Sequence, residues 1–176
     1  MSAGVDKGPL PVSLGEAQAF VRVETGEEEA LLAALVRTAS AVCEQFIGQW
    51  IMARDFEAIV AASGDWVRLA VTPVSAITGV EAVLPDGSRQ VLAVADYEID
   101  VDADGAGYVR LRSGGSAQRL AVTGRAGMAD EQNAVPEPLR QGILRLTAHF
   151  FAHRDADDTP PAAVTALWKP YRPVRL

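Results

Sequence analysis

The stretch Glu27-Glu-Glu-Ala-Leu-Leu-Ala-Ala-Leu-Val-Arg-Thr-Ala-Ser-Ala-Val-Cys-Glu-Gln-Phe-Ile47 decides the fold, because its apolar residues recur at the spacing of an α-helix. One apolar stripe runs from Leu31 to Phe46, and a second runs beside it from Leu32 to Ile47. An apolar face this wide predicts a helix that is buried on more than one side. Gly48 then ends the helix, since glycine accepts the left-handed conformation that often follows one.

Two further helices are predicted, one before and one after the helix at 27–47. The sequence Ser13-Leu-Gly-Glu16 matches a capping box and predicts a helix over residues 14–23. Thr25-Gly-Glu-Glu28 repeats that pattern before the helix at 27–47. Val135-Pro-Glu-Pro-Leu139 predicts a third helix over 137–154, with proline where the first turn tolerates it. Residues 1–12 are expected to form a flexible leader.

Residues 50–125 have the short apolar runs and tight turns of β structure. Seven runs are strand-like, from which we expect five to seven short strands: 56–61, 66–71, 74–84, 89–94, 97–101, 108–112 and 120–123. The strongest turn signals are Pro85-Asp-Gly-Ser88 and Asp102-Ala-Asp-Gly105. The pattern predicts an α+β fold in which an antiparallel sheet is inserted into a helical core. That domain spans residues 13–154, and a linker and extended tail occupy 155–176.

The last thirteen residues, Val164–Leu176, form a C-terminal segment that is basic and aromatic and contains prolines but no acidic residue. Because proline lacks a backbone donor and fixes φ, we expect this segment to be extended. It either folds back on its own domain or docks into another protein. The docking residues under the second interpretation are Val164, Leu167, Trp168, Lys169, Pro170, Tyr171, Arg172, Val174, Arg175 and Leu176.

Composition narrows the function classes. The 176 residues carry a net charge of −7, which argues against nucleic acid as the main partner. The single Cys43 excludes an intrachain disulfide framework, and its apolar neighbours predict a buried thiol. The N-terminus does not resemble a signal peptide. We find no apolar run close to the roughly 20 residues of a membrane helix, so we expect a soluble protein.

Catalytic and metal-binding motifs are incomplete. Asp100, Asp102 and Asp104 resemble the start of a calcium loop, but Leu111 stands where a bidentate glutamate is needed, which favours an acidic hairpin turn. His149 and His153 are four residues apart on a helix, yet Phe150 replaces the glutamate of a zinc hydrolase signature. The glycine-rich stretches match no phosphate loop. We therefore predict no active site, no cofactor and no metal.

Six stretches together resemble a known family. They are Pro11–Val23, the helix with Glu44 and Gly48, Thr72–Ile77, Asp96–Asp100, Val135–His149 and the C-terminal Val164–Leu167 with Pro170-Tyr-Arg172. In this order they are similar to the head–tail connector proteins, or adaptors, of tailed phages and gene transfer agents. The similarity extends from about Pro11 to Leu176.

The resemblance implies a structural protein without enzymatic activity. Such a protein forms a ring, commonly a dodecamer, between the portal protein and the stopper or tail proteins, and is assembled in the bacterial cytoplasm. DNA passes through the channel of the ring without specific binding, which suits an acidic lining. The helices are expected to pack laterally between copies, the β insertion to lie outside them or add to that contact, and the C-terminal tail to bind the portal.

Three alternatives remain at this stage. Another neck component, such as a stopper, shares most of these expectations. A small metal-dependent hydrolase using His149, His153 and Asp155 requires a bound metal. A cellular β-rich binding module with a helical cap predicts a monomer with a ligand pocket.

Overall fold

The computed structural model describes residues 8–23, 28–112, 117–153 and 159–173. The chain divides into two compact units. The helical unit comprises Met1–Met52 and Ala129–Leu176, and the β unit comprises Ala53–Met128, against a predicted insertion at 50–125. Helices and antiparallel sheets therefore occupy separate parts of the chain, and the predicted α+β class is confirmed.

The helical unit contains α1 (Leu14–Val21), α2 (Glu29–Ile47), α3 (Glu137–Ala152) and α4 (Ala162–Trp168), followed by a 3-10 turn, Lys169–Tyr171. Helix α2 packs against the other three helices. Its second stripe, Leu32, Val36, Cys43 and Ile47, is fully buried. Leu31 on the first stripe is 37% exposed, so one predicted face is core and the other is only partly covered.

The helix ends follow the cap signals closely. Glu16 N donates to Ser13 Oγ at 3.2 Å and Ser13 N donates to Glu16 Oε2 at 2.8 Å, which forms the predicted capping box. Helix α1 ends before the predicted residue 23 because Arg22 takes a left-handed φ of 58°. Gly48, with a φ of 69°, ends α2 as predicted.

Two further helix boundaries differ from the prediction. Helix α2 begins at Glu29 rather than 27, and Glu28 makes no side-chain cap bond. Thr25 of the second capping box lies outside the described residues. Helix α3 begins at residue 137 as predicted but ends at Ala152, where His153 leaves the helical region with φ −124° and ψ 64°.

Two sequence expectations for the helical unit need correction. Within the predicted leader, Val12 is completely buried and the Leu10 carbonyl accepts from Gln132 Nε2 at 2.8 Å, so this part of it is packed. Helix α2 is long and apolar enough to cross a membrane by length and composition alone, contrary to our reading of the apolar runs. A core helix passes the same test, and α2 has core contacts on several sides.

The β unit contains seven strands: β1 (Arg54–Ala61), β2 (Val67–Arg68), β3 (Val74–Val83), β4 (Arg89–Val91), β5 (Tyr97–Val101), β6 (Gly107–Leu111) and β7 (Arg119–Ala126). They form two antiparallel sheets, ordered β1-β7-β3-β4 and β2-β6-β5. Each of the seven strand-like runs contains a strand, within the five to seven expected, but the single predicted sheet is wrong because the strands form two. Strand order depends on long-range pairing, which the local pattern does not encode.

Alternation along the strands separates core from surface in the β unit. Phe56 pairs with Gly124, and Val80 pairs with Val122, on one face of the four-stranded sheet. Phe56, Val80 and Val122 are at most 6% exposed, as is Val109 of the three-stranded sheet. Gly124 has no room for a side chain, because a Cβ there would lie 2.8 Å from the Phe56 ring. These residues form the core of the β unit.

Candidate docking surface

The C-terminal segment, predicted to be extended, is helical over most of its described length. Helix α4 occupies Ala162–Trp168 and the 3-10 turn occupies Lys169–Tyr171. Pro161 is the N-cap residue of α4, and Pro170 lies in the first positions of the 3-10 turn. Both are places where the missing backbone donor costs little. The extended conformation predicted for residues 164–171 is therefore wrong.

Trp168 is buried within its own chain and has no exposed surface. Its ring centroid lies 5.8 Å from that of Phe46 on α2, at an interplanar angle of 54°. On the other side it packs on Gly142 of α3, where an added Cβ would lie 2.7 Å from Trp168 Cε2. Val164, one helical turn earlier, is 2% exposed. These two predicted docking residues are thus core residues of the helical unit.

Polar and cation–π contacts extend this attachment past the helix. Gln49 Nε2 donates to the Tyr171 carbonyl at 2.7 Å. The Arg172 guanidinium lies 5.3 Å from the centroid of the Phe46 ring. Phe46 is therefore contacted by both Trp168 and Arg172, and the segment is attached along α2 as well as α3.

The rest of the predicted docking segment faces solvent to differing degrees. Lys169, Pro170 and Arg172 are exposed, while Leu167 and Tyr171 are half-buried. Val174, Arg175 and Leu176 lie outside the described residues. The described surface of the segment is consequently basic, with a partly accessible tyrosine and no carboxylate.

The aspartate-rich loop has the hydrogen bonds of a hairpin turn. Asp102 Oδ1 accepts from Asp104 N at 3.0 Å and from Ala106 N at 2.8 Å, while Tyr108 Oη donates to Asp102 Oδ2 at 3.2 Å. The Ala106 amide, more than any other group, lowers the pKa of Asp102. Leu111 lies within β6. The acidic hairpin interpretation is confirmed.

The two histidines lie together at the end of α3. Their ring centroids are 4.7 Å apart, and His153 Nδ1 is 3.0 Å from the His149 carbonyl oxygen. Asp155, the third residue of the hydrolase alternative, lies outside the described residues. Among the described residues, no three His, Cys, Asp or Glu side chains are grouped closely enough to hold a metal ion.

Cys43 is fully buried, as predicted from its neighbours. Burial, and secondarily the Glu44 charge, raises the pKa of its thiol far above the ordinary value. A thiol held in its neutral form is a poor nucleophile. Cys43 is therefore part of the core of the helical unit.

A charged and aromatic cluster on the three-stranded sheet was missed by sequence reasoning. Glu98 accepts from Arg110 and, at 2.7 Å, from Arg112 Nε, and the Arg110 guanidinium lies 4.5 Å from the Trp66 ring centroid. The hydrogen bond from Arg110 is the main cause of a lowered Glu98 pKa. The sequence did contain a sign of this cluster. Arg110 and Arg112 are two residues apart, and this spacing places both side chains on one face of a strand.

No protein-family model and no curated protein matches this chain. Solved structures do match. A chain of the neck of an empty gene transfer agent particle, computed with C6 symmetry, is 23% identical at a TM-score of 0.76, covering 99% of this chain and 95% of that one. A chain of the native particle's neck, computed with C12 symmetry, is 24% identical at a TM-score of 0.77, covering 99% of this chain and 94% of that one.

A chain of the virion of the native gene transfer agent particle gives a similar result, with 24% identity and a TM-score of 0.76 over 99% of this chain and 94% of that chain. The similarity thus extends over both units of the chain in each case. The α+β arrangement of helical core and β insertion is therefore a fold that this chain shares with proteins of gene transfer agent particles, as the resemblance of the sequence predicts.

Proposed function

We propose that this chain is a structural neck protein, the head–tail adaptor of a tailed phage or gene transfer agent particle. The observation that carries the proposal is the shared fold along 99% of the chain with proteins in gene transfer agent necks. The ordered series of family-like stretches in the sequence supports it independently. In this role the chain lies in the particle neck, between the portal protein and the stopper or tail proteins, and performs no catalysis.

The symmetry of the matching necks supports a ring. Those structures were computed with C6 and C12 symmetry, which requires repeated copies around an axis. A ring of identical chains needs a heterologous contact, in which one surface of a copy meets a different surface of the next. We propose that copies of this chain associate in the same way, as a dodecamer.

The charge of the chain suits a DNA conduit. The net charge is −7, and carboxylates along a channel repel phosphates, whereas a basic lining would hold them. DNA would pass such a ring without specific binding. The basic C-terminal surface is the exception to the overall acidity, which is consistent with a protein partner for it.

We propose that this basic surface binds the portal. Lys169, Pro170 and Arg172 supply exposed groups, Tyr171 supplies a half-buried aromatic ring, and residues 174–176 continue the segment. Arginine and tyrosine are frequent energetic anchors of interfaces. Trp168 has a different part from the one its sequence suggested: it fixes the segment on α2 and α3 so that the basic groups are presented outward.

The test is charge reversal in the producing cell. Lys169→Glu with Arg172→Glu should leave filled heads that lack both this protein and tails in electron micrographs. The matched control reverses two other exposed cations, Arg37→Glu with Arg119→Glu, and should give tailed particles.

Tailed particles from the Lys169/Arg172 variant would show that the C-terminal surface does not bind the portal. Absence of the wild-type chain from purified particles would overturn the neck function as a whole.

A further inference from the structure

The β unit exposes more of its large apolar side chains than the helical unit does. Among the described residues, Phe20 and Leu31 are the exposed ones in the helical unit. In the β unit they are Ile59, Trp66, Val91, Val94, Ile99 and Val101. Ile59 lies on β1 and Ile99 and Val101 lie on β5, and both strands are at the edge of a sheet.

The edge of β1 is regular, and within the described part of the chain no strand pairs with its outer side. Its eight residues pair with β7 without a bulge and include no proline. Ala62 N donates to the Gln118 carbonyl at 3.0 Å, so even-numbered residues bond to β7 and the backbone groups of Glu57, Ile59 and Ala61 point away from the sheet. Ile59 is 45% exposed at the middle of this row. An open edge of this kind is a template for another strand.

The edge of β5 has the same properties. Asp102 N donates to the Ala106 carbonyl at 3.0 Å and Arg112 N donates to the Asp96 carbonyl at 2.9 Å. Even-numbered residues of β5 therefore bond to β6, and Tyr97, Ile99 and Val101 direct their backbone groups outward. Ile99 is 44% exposed and Val101 is 40% exposed.

The two edges belong to different sheets of the β unit. Strand β5 packs against β3, and β3 is separated from β1 by β7 in the four-stranded sheet. One copy thus presents two different strand edges. This is the arrangement that a heterologous, head-to-tail contact between identical chains requires.

We propose that β1 of one copy pairs with β5 of the next copy as antiparallel strands, with Ile59 opposite Ile99. The proposal rests on the proposed ring and assigns its contact between copies. The two sheets then continue into each other across the subunit boundary, and the main-chain groups of both edges are satisfied by β-augmentation.

Charge supports this register. With Ile59 opposite Ile99, Glu57 faces Val101, Ala58 faces Asp100, and Val60 faces Glu98. The acidic side chains of the two strands therefore never stand directly opposite each other, a position that destabilises like charges. The register also brings the exposed aliphatic groups of both edges together, which removes their apolar surface from water.

The other two edges suit this contact less well. Strand β4 has three residues, Arg89–Val91, and β2 has two, Val67–Arg68. Each offers too few outward backbone groups to match the length of β1 or β5. Val91, with an exposed fraction of 76%, nevertheless provides a control position at an edge outside the proposed contact.

A cysteine pair tests the pairing in assembled particles. Opposed residues of a hydrogen-bonded antiparallel pair have Cα atoms about 5.5 Å apart, within the range of a disulfide. Oxidation of particles carrying Ile59→Cys with Ile99→Cys should convert the chain into a ladder of covalent multimers on a denaturing gel. Ile59→Cys with Val91→Cys should stay monomeric. The native Cys43 is buried and does not compete.

A second variant tests the same contact without a new bond. Ile59→Pro removes an outward N–H but no bond to β7, and should weaken association between copies by roughly tenfold. Val91→Pro, at the β4 edge, is the matched control and should assemble normally.

The outcomes separate the two proposals. Particles that contain the chain but show no Ile59–Ile99 ladder, or that assemble normally with Ile59→Pro, would overturn the strand pairing alone. Wild-type particles without the chain would overturn the neck function and the pairing that rests on it.

Discussion

The helical unit and the β unit complete their cores in different ways. The helical unit uses its own C-terminal helix, because Trp168 and Val164 of α4 cover α2 and α3. The β unit ends in open strand edges whose aliphatic side chains remain about half exposed. The difference suggests a division of roles between the units. One unit can hold a segment of its own chain, while the other can hold neighbouring copies. Under the two proposals above, the helical unit presents the basic segment and the β unit joins neighbouring copies.

The largest expected effect tests whether α4 is part of the core. Trp168→Ala should lower the free energy of unfolding by about 3–5 kcal/mol, because it removes a fully buried indole and leaves a cavity. The same substitution in the β unit, Trp66→Ala, removes a side chain that is 44% exposed and should cost much less. Urea denaturation followed by circular dichroism measures both. Equal losses would contradict the division between the units.

A smaller effect is expected on the other side of the same contact. Gly142→Ala places a Cβ against the indole of Trp168, and overpacking of this kind costs about 1–3 kcal/mol. Gly15→Ala in α1, where an added Cβ meets no atom within 4 Å, should instead stabilise the chain slightly. A Gly142→Ala chain as stable as the wild type would show that α4 does not need this close approach. Thermal unfolding of the three chains gives the comparison.

Loss of the capping box of α1 should lower the free energy of unfolding by about 1 kcal/mol. Ser13→Ala removes the acceptor for Glu16 N and should destabilise the helical unit by that amount at pH 7. Stability measured at fixed pH by urea denaturation tests it. No change would mean that the cap is replaced by water without loss.

The same cap predicts a pH dependence. The Ser13 backbone amide, and to a lesser extent Arg140, lowers the pKa of Glu16 from its ordinary 4.5. A lowered folded-state pKa gives stability that is present above the unfolded pKa and lost as pH falls through the folded one. The free energy of unfolding of the wild type should therefore exceed that of Glu16→Gln, whose side chain can still cap the helix, at pH 7. Well below pH 4.5 this advantage should be lost.

The smallest effect is expected on the surface of the β unit. Glu57 accepts from Arg89 at 2.6 and 2.8 Å across the four-stranded sheet, and this hydrogen bonding lowers the pKa of Glu57. Exposed ion pairs contribute little because water and salt screen them. Glu57→Gln should reduce stability by less than Ser13→Ala does. A larger loss would show that the edge strand depends on this pair.

The elements that could be predicted from sequence are those with a local period. Helix α2 follows from the stripe that includes Leu32 and Val36, and the strands follow from alternation between tight turns. Helix α4 was missed because Pro170 and Pro173 were taken to exclude a helix throughout the segment. The seven residues between Pro161 and Lys169 contain no proline, and Val164 and Trp168 are one turn apart, so the signal was present.

The parts that could not be predicted depend on residues far apart in the chain. The division into two sheets and the open edges of β1 and β5 are set by strand pairing over long separations. The Glu57–Arg89 pair joins residues 32 apart, and no local pattern relates them. The basic character of the candidate docking residues could be predicted from composition. The burial of Trp168 required knowledge of what lies beneath it.

Gly142 has a consequence for tracing related chains through evolution. A glycine inside a helix costs about 1 kcal/mol relative to alanine, so drift should replace it wherever nothing depends on it. Here the missing side chain makes room for an indole 26 positions later. The two positions should therefore change together: descendants that lose the tryptophan are released to acquire a side chain at the glycine position. A Gly and a Trp at this separation therefore form a sequence signature. It can identify distantly related chains that have the same attached C-terminal helix.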